Sequence, residues 1–457
     1  MTVRFVIVGG GPGGNTAATV AARLGAEVTL VERNLVGGAA HLWDCIPSKA
    51  MIATGGMLSE LDRAQVMGLA AEGRLDLAAL RERIASIEAR LHHSICDLLL
   101  SQGVRIIAGT GHLKGPHEVI AETAAGFGRD SVEELEADAI LLSTGSRPRV
   151  PDWAAVDGER ILTTRQAYPP PEIPGHLIVV GSGVTGVEFT HMFRSLGSEV
   201  SLIVSRQQVL PGKDPEVAAA LEAEFLRRGV HLYKGARASG IDIDAATLRV
   251  RCDDGRVAGG THVVLAVGSI PNSDGLGLDA AGVEADQGGY LPVNHHLQSN
   301  VPHIYVAGDL SGKLPLSSVA AMQGRKIAEH VMGLHTRNHR HLDYDKAASA
   351  IFTEPEIADV GLAEADAFAE GRKLRVTKVP FSANAKALIE GDSRGFVKIL
   401  SDPATGVVLG GSIVGRHAAE LISVIALAVT AHLKVTDIVE SVLVHPTLSE
   451  ALAEAAE

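Results

Sequence analysis

One phrase occurs twice in this chain, and it constrains the fold more than any other feature. Residues 4–14 read RFVIVGGGPGG, and residues 177–186 read LIVVGSGVTG. Each is a short apolar run with strand character, followed by G-x-G-x-x-G and then a helical pattern. The glycines are Gly9, Gly11 and Gly14 in the first copy and Gly181, Gly183 and Gly186 in the second. In such a turn the first glycine permits the tight bend, the second lets a pyrophosphate approach the backbone, and the third lets helix and strand pack closely. The pyrophosphate then rests on the positive end of the helix dipole. A lone copy is weak. Two copies, each followed by a second strand, predict an α/β chain with two Rossmann-like dinucleotide-binding domains.

The end of the second strand distinguishes the copies. EVTLVERN puts Glu32 eighteen residues after Gly14, where a carboxylate can accept hydrogen bonds from an adenosine ribose diol. EVSLIVSRQQ puts Ser205 at the matching place, followed by Arg206. A carboxylate there would repel a 2′-phosphate; its absence, with an arginine beside it, removes that penalty. The second site is therefore expected to accept NADPH, with or without NADH. Arg206 fits equally well as a solvated surface charge.

Length and composition bound the rest. A chain of 457 residues is too long for one core and implies two to four domains. Apolar content of 46% and charged content of 21% describe an ordinary globular protein. The formal charge of −13 argues against non-specific nucleic-acid binding. No stretch approaches the roughly 18 apolar residues of a membrane span; the longest candidate, around 421–429, reads as a buried helix. The N-terminal run is too short for a secretion signal and leads into a glycine turn, so it reads as the first strand. The three cysteines, Cys45, Cys96 and Cys252, form no structural disulfide framework and suit a reducing cytoplasm. Cys96 and Cys252 read as structural. No metal-ligating set is assigned.

Further motifs join the two turns. STGSRPRVP (143–151) looks like an A-T-G-x-x-P crossover between dinucleotide domains, and LAVGSIPN (265–272) like the return crossover. VPHIYVAGDLSG (301–312) carries Asp309; FTEPEIADVGL (352–362), FSANAKA (381–387) and HPTLSE (445–450) follow. In this order and spacing the chain resembles the flavoprotein disulfide reductases over essentially its whole length. That resemblance implies a discontinuous FAD domain (1–147 and 272–338), an NAD(P) domain (148–271) inserted into it, and a C-terminal α+β dimerisation domain (339–457). It implies a homodimer in which the C-terminal motif of one subunit meets the flavin of the other. It also assigns Gly111, Ser143, Thr144, Gly145, Asp309 and Ser317 to FAD, with Asp309 on the ribityl chain, and Gly268 to NAD(P).

The chemistry implied by the resemblance centres on GGAAHLWDCIPSKA, residues 37–50. Lys49 lies near flavin N5 by analogy and pairs with Glu188, two residues beyond Gly186; a carboxylate partner keeps that lysine from being an unpaired buried charge. Cys45 matches the flavin-proximal cysteine. Ala40 stands where the family carries its interchange cysteine, and thiol–disulfide exchange needs an attacking thiolate. His445 and Glu450 match the family's C-terminal pair, in which the glutamate orients an imidazole acting as acid and base; a structural hydrogen bond is the other reading. His41, Trp43 and Asp44 depart from the small residues usual in this loop and receive no role.

GGAA…DCIPSK also looks like a narrower group of dihydrolipoamide dehydrogenase-like flavoproteins that lack one active-site cysteine and act as NAD(P)H:quinone reductases. The leading expectation is that NAD(P)H reduces FAD, which passes electrons directly to a quinone-like acceptor. Three alternatives stand beside it: a soluble NAD(P)+ transhydrogenase, a peroxidase using Cys45 as its single thiol, and a non-enzymatic FAD-bearing subunit.

Overall fold

A computed structural model describes residues 2–123, 131–244, 247–334 and 341–457. The chain divides into two compact units, the first made of Met1–Ser48, Ala78–Arg149 and Ser269–Tyr344 and the second of Lys49–Leu77, Val150–Gly268 and Asp345–Glu457. The FAD-domain boundary expected at 338 lies outside the described residues.

The first unit is built on a five-stranded sheet in the order Ile304–Val306, Ala139–Leu142, Arg4–Val8, Glu27–Glu32, Arg105–Ala108, with every pairing parallel. Alternation along Arg4–Val8 explains its unbroken apolar run. Phe5 and Ile7 pack with Ala17, Ala21 and Ile327 of the helices Pro12–Arg23 and Ser317–Val331. Val6 and Val8 face the other way, onto Leu113, Val119 and Leu135 of an antiparallel sheet formed by Thr110–Gly115, Glu118–Thr123 and Ser131–Glu136. A strand covered on both faces has no side on which a polar residue would be solvated. The segments read as crossovers pair with each other: Ser146–Pro148 and Ser269–Pro271 form an antiparallel ribbon.

The second unit repeats the parallel design in the order His231–Lys234, Glu199–Val204, His176–Val180, His262–Leu265, Ile161–Thr163, with a three-stranded antiparallel sheet Ala238–Ile243, Leu248–Cys252, Val257–Gly260. Its C-terminal part is a five-stranded antiparallel sheet running Ser349–Ile351, Glu356–Gly361, Val408–Gly415, Phe396–Ser401, Arg375–Pro380. The helix Ala418–Ala431 lies on this sheet through Ile422, Ile425 and Ala428. It is buried on one face only, since Leu427 is 63% exposed. Among the described residues no helix is long and apolar enough to cross a membrane.

Charge holds the two halves of this second unit together. Lys398 is 1% exposed and its ammonium meets Asp214 at 2.8 Å and Glu364 at 2.9 Å, with Glu216 also against it. Three carboxylates hold that lysine well above its ordinary range despite burial. Arg394 similarly reaches Glu224 and Glu354 at 2.8 Å and Asp392 at 2.6 Å.

Candidate active site and cofactor cradles

The two glycine turns are built alike. The first joins the strand Arg4–Val8 to the helix Pro12–Arg23, the second joins His176–Val180 to Val184–Ser195. Gly9 has φ +103° and Gly181 φ +110°, a region closed to most side chains. A Cβ at Gly14 would strike the Gly9 carbonyl, and one at Gly186 the Gly181 carbonyl. A Cβ at Gly11 or Gly183 would meet no protein atom within 4 Å, so the approach to that backbone is open. Each open glycine is the N-cap of its helix, where no side chain satisfies the first N–H groups and no acidic residue stands in the first turn. Unspent donors at a positive helix end, bared by a missing Cβ, suit a pyrophosphate.

Glu32 ends the strand Glu27–Glu32 and is buried. Its Oε2 accepts from the Gly10 N–H at 2.7 Å and its Oε1 from the Asn34 N–H at 2.8 Å. Two donors fix the carboxylate while lone pairs remain for a ribose diol. Ser205 and Arg206, after the strand Glu199–Val204, are both exposed. The Arg206 carbonyl accepts from Gly235 N at 3.0 Å, which anchors its backbone and leaves the guanidinium at the surface.

The remaining residues assigned to FAD lie in the first unit. Ser143 is buried and bonds through its N–H to Val8 O at 2.8 Å. Thr144 Oγ1 donates to Asn272 O at 2.8 Å, and Asn272 Nδ2 returns a bond to Thr144 O at 2.9 Å. Gly145 has φ +69°. Asp309 accepts from Ser146 Oγ at 2.6 Å. A Cβ at Gly111 would lie 3.0–3.3 Å from the side chains of Val8 and Val31, so this glycine packs closely against the parallel sheet. Gly268, exposed with φ +94°, follows the strand His262–Leu265 in the second unit.

The stretch 37–50 folds into a π-helical turn, Ala40–Asp44, that passes into the helix Ile46–Asp62. The Cys45 N–H donates to Ala40 O at 3.1 Å. Positions 40 and 45 are thus one π-turn apart and stacked, the relation two sulfurs of a local disulfide would need; here one partner is a methyl group. Cys45 Sγ lies 3.6 Å from Ser317 Oγ, at the start of the helix Ser317–Val331. Cys96 and Cys252 are also free thiols. Burial pushes both upward, which keeps them protonated and poorly nucleophilic. His41 is half-buried, and burial together with nearby His92 disfavours its charged form.

In the second unit the Lys49 ammonium meets Glu188 Oε2 at 2.9 Å, with Lys49 31% and Glu188 6% exposed. Glu188 Oε1 accepts from the Phe352 N–H at 2.9 Å, and the Lys49 ammonium sits 4.8 Å from the centre of the Phe352 ring. Phe352 therefore holds both members of the pair: its backbone orients the anion and its ring face attracts the cation. Phe352 opens the FTEPE segment, and nothing local in the sequence ties it to residues 49 and 188.

His445 Nδ1 lies 2.8 Å from Glu450 Oε1, and Glu450 Oε2 accepts from the Thr447 N–H at 2.9 Å. Those two contacts, the backbone one foremost, hold Glu450 below the usual carboxylate range. The glutamate stays ionised and fixed, so it presents one imidazole edge outward; His445 is 72% exposed.

The cradles fit FAD and NAD(P)H, and comparison with known proteins agrees. Residues 3–324 match the pyridine nucleotide-disulphide oxidoreductase family, and residues 347–456 match the dimerisation domain of that family. The chain is 41% identical to a protein of Mycobacterium tuberculosis (strain ATCC 25618 / H37Rv) named NAD(P)H dehydrogenase (quinone), covering 100% of this chain and 94% of that one. It is 34% identical to the dihydrolipoyl dehydrogenase of Chlamydia muridarum, covering 99% and 95%. The crystal structure of LpdA from Mycobacterium tuberculosis superposes with a TM-score of 0.94 at 40% identity, covering 100% of this chain and 99% of that one.

Proposed function

This chain belongs to the pyridine nucleotide-disulphide oxidoreductase family, and on that premise we propose that it oxidises NAD(P)H and delivers the electrons to a quinone without a thiol relay. It is a flavoprotein oxidoreductase that uses FAD and NAD(P)H. When bound, FAD supplies the hydride acceptor and the one- or two-electron donor. The Gly9–Gly14 turn, Glu32, the Ser143–Gly145 segment and Asp309 would hold it, and the Gly181–Gly186 turn with Ser205, Arg206 and Gly268 would hold the nicotinamide nucleotide.

The chain's own residues do the rest. Lys49, oriented by Glu188 and Phe352, provides a fixed cation that stabilises negative charge as hydride arrives. His445, oriented by Glu450, is a proton donor for a quinone oxygen becoming a phenol. The three-part organisation expected from sequence belongs to this reading: 1–147 with 272–338 for FAD, 148–271 for NAD(P), 339–457 for dimerisation. Val442 and Val444, near His445, are 100% and 72% exposed in the single chain, which supports a second copy covering them. A cytoplasmic setting completes the reading.

One observation carries the choice of acceptor: Ala40 stacked on Cys45 in a single π-turn, with the other two cysteines in separate elements, Cys96 in the helix Leu77–Ser101 and Cys252 in the strand Leu248–Cys252. Attack of Cys45 on a disulfide substrate would leave a mixed disulfide that needs a second enzyme thiol to resolve it, and none stands there. The relative named for quinone reduction is also more similar to this chain than the dihydrolipoyl dehydrogenases at 34%. The test is steady-state turnover of FAD-loaded protein with NADPH or NADH against menadione, lipoamide, peroxide and thio-NAD. Quinone reduction should dominate, and Cys45→Ser should retain it within about threefold. Robust lipoamide turnover with substrate trapped on Cys45 would overturn the reading.

A further inference from the structure

Away from the glycine turns, the first unit gathers histidines that the sequence keeps apart. His295 and His296 precede the strand Ile304–Val306, and His341 lies forty-five positions beyond His296. Their ligand nitrogens all lie within 4.8 Å of one another. Ring centres are 4.1 Å apart for His295 and His296, 4.6 Å for His295 and His341, and 5.3 Å for His296 and His341. His330, from the last turn of the helix Ser317–Val331, lies 4.4 Å from His296 and bonds through Nδ1 to the Tyr305 hydroxyl at 2.8 Å. The four imidazoles line a cavity of about 270 Å³.

A neutral imidazole ligates a divalent ion through one ring nitrogen, and metal binding competes with whatever that nitrogen otherwise bonds. Zinc holds imidazole nitrogen at roughly 2.0–2.1 Å in a tetrahedron, which puts ligand nitrogens roughly 3.3 Å apart. From within 4.8 Å the nitrogens must close by at most about 1.5 Å to reach that spacing, and His295 and His341 are exposed. Two lysines also line the cavity. Lys326 is paired with Glu329 at 3.3 Å, and Lys313 is exposed, so its charge is solvated. The other convergent donor set among the described residues, Asp214, Glu216 and Glu364, already surrounds the Lys398 ammonium and offers no comparable place.

We propose that His295, His296 and His341 form a binding site for a divalent transition ion of the class imidazole prefers, Zn²⁺ or Cu²⁺, with a fourth position open to the water-accessible cavity. His330, tied down by Tyr305, is the positioning residue against which His296 packs. Such an ion would clip the loop 293–297 to the segment that closes this unit at Tyr344.

The experiment uses untagged, FAD-loaded full-length protein. ZnCl₂ is titrated calorimetrically, bound zinc is counted by atomic emission after dialysis, and CuCl₂ is followed by paramagnetic resonance. One ion per chain is expected, with nitrogen hyperfine structure for Cu²⁺. His295→Ala and His341→Ala should each weaken Zn²⁺ at least tenfold, and the pair together should abolish binding, with flavin content and NADPH-driven turnover unchanged. His341→Gln, which keeps a hydrogen-bonding side chain, should show the same loss. His335 and His339, outside the described residues, stay in every variant. Absence of saturable one-to-one binding, or affinity untouched by these changes, overturns the proposal.

Discussion

Glu188→Gln tests the reading of Lys49 with little else disturbed. Glutamine keeps the side chain's shape and an oxygen for the Phe352 N–H, but it removes the charge 2.9 Å from the lysine and turns an NH2 donor toward the ammonium in place of an acceptor. Two unit charges at that separation attract by roughly 6 kcal/mol at an effective dielectric of about 20. Lys49 is 31% exposed, so water solvates and screens it, and the net loss falls to roughly 1–3 kcal/mol. Lys49 serves the hydride step only if it is both charged and held in place, so most of that loss should appear in the barrier. The rate of flavin bleaching by NADPH, followed anaerobically by stopped flow, should drop about 10- to 100-fold. FAD content should not change. Phe352→Leu retains the N–H and loses the ring, and should cost about 2- to 5-fold, in line with a partly exposed cation–π contact. A bleaching rate within twofold of the parent in Glu188→Gln would refute the role assigned to Lys49.

Other outcomes follow from the same geometry. Gly11→Ala should fold, since its Cβ meets no protein atom within 4 Å, yet bind FAD at least tenfold more weakly; Gly183→Ala should do this to NADPH and spare FAD, as separate titrations would show. Ser205→Asp should raise the KM for NADPH at least tenfold relative to NADH, because a carboxylate would face the 2′-phosphate. Glu354 is held down to about 2 against an ordinary 4.5 by Arg394 and Arg63, which outweigh its burial. The unfolded chain therefore takes up this proton near pH 4.5 while the folded chain refuses it until about 2. That contribution, of order 3 kcal/mol, is complete above pH 4.5 and lost as pH falls through the window. Arg394→Met removes much of it, so the gap in Tm between parent and variant should be wide at pH 6, reduced at pH 3 and closed only as pH falls through about 2.

Much of the site was legible before any coordinates. The glycine turns were, because the bend, the helix start and the phosphate approach are properties of a few consecutive residues. The Lys49–Glu188 pair was legible only through the family resemblance, since its members stand 139 positions apart. Phe352 escaped because its tie to Glu188 spans 164 positions and depends on a backbone N–H, which every non-proline residue has. The apolar run at 421–429 read as a buried helix, yet the fold leaves Leu427 outward, because composition does not say how many faces of a helix will be covered.

By itself, then, the order of residues determined two strand–turn–helix dinucleotide turns, and the family resemblance added that alanine stands where the partner of Cys45 is expected. The turns are local matters of φ, ψ and side-chain alternation. Only the tertiary structure decided that Phe352 carries both the cation and its counter-ion, and that three distant histidines share one cavity. Such meetings depend on where the packed chain brings its segments, and spacing along the sequence does not encode that.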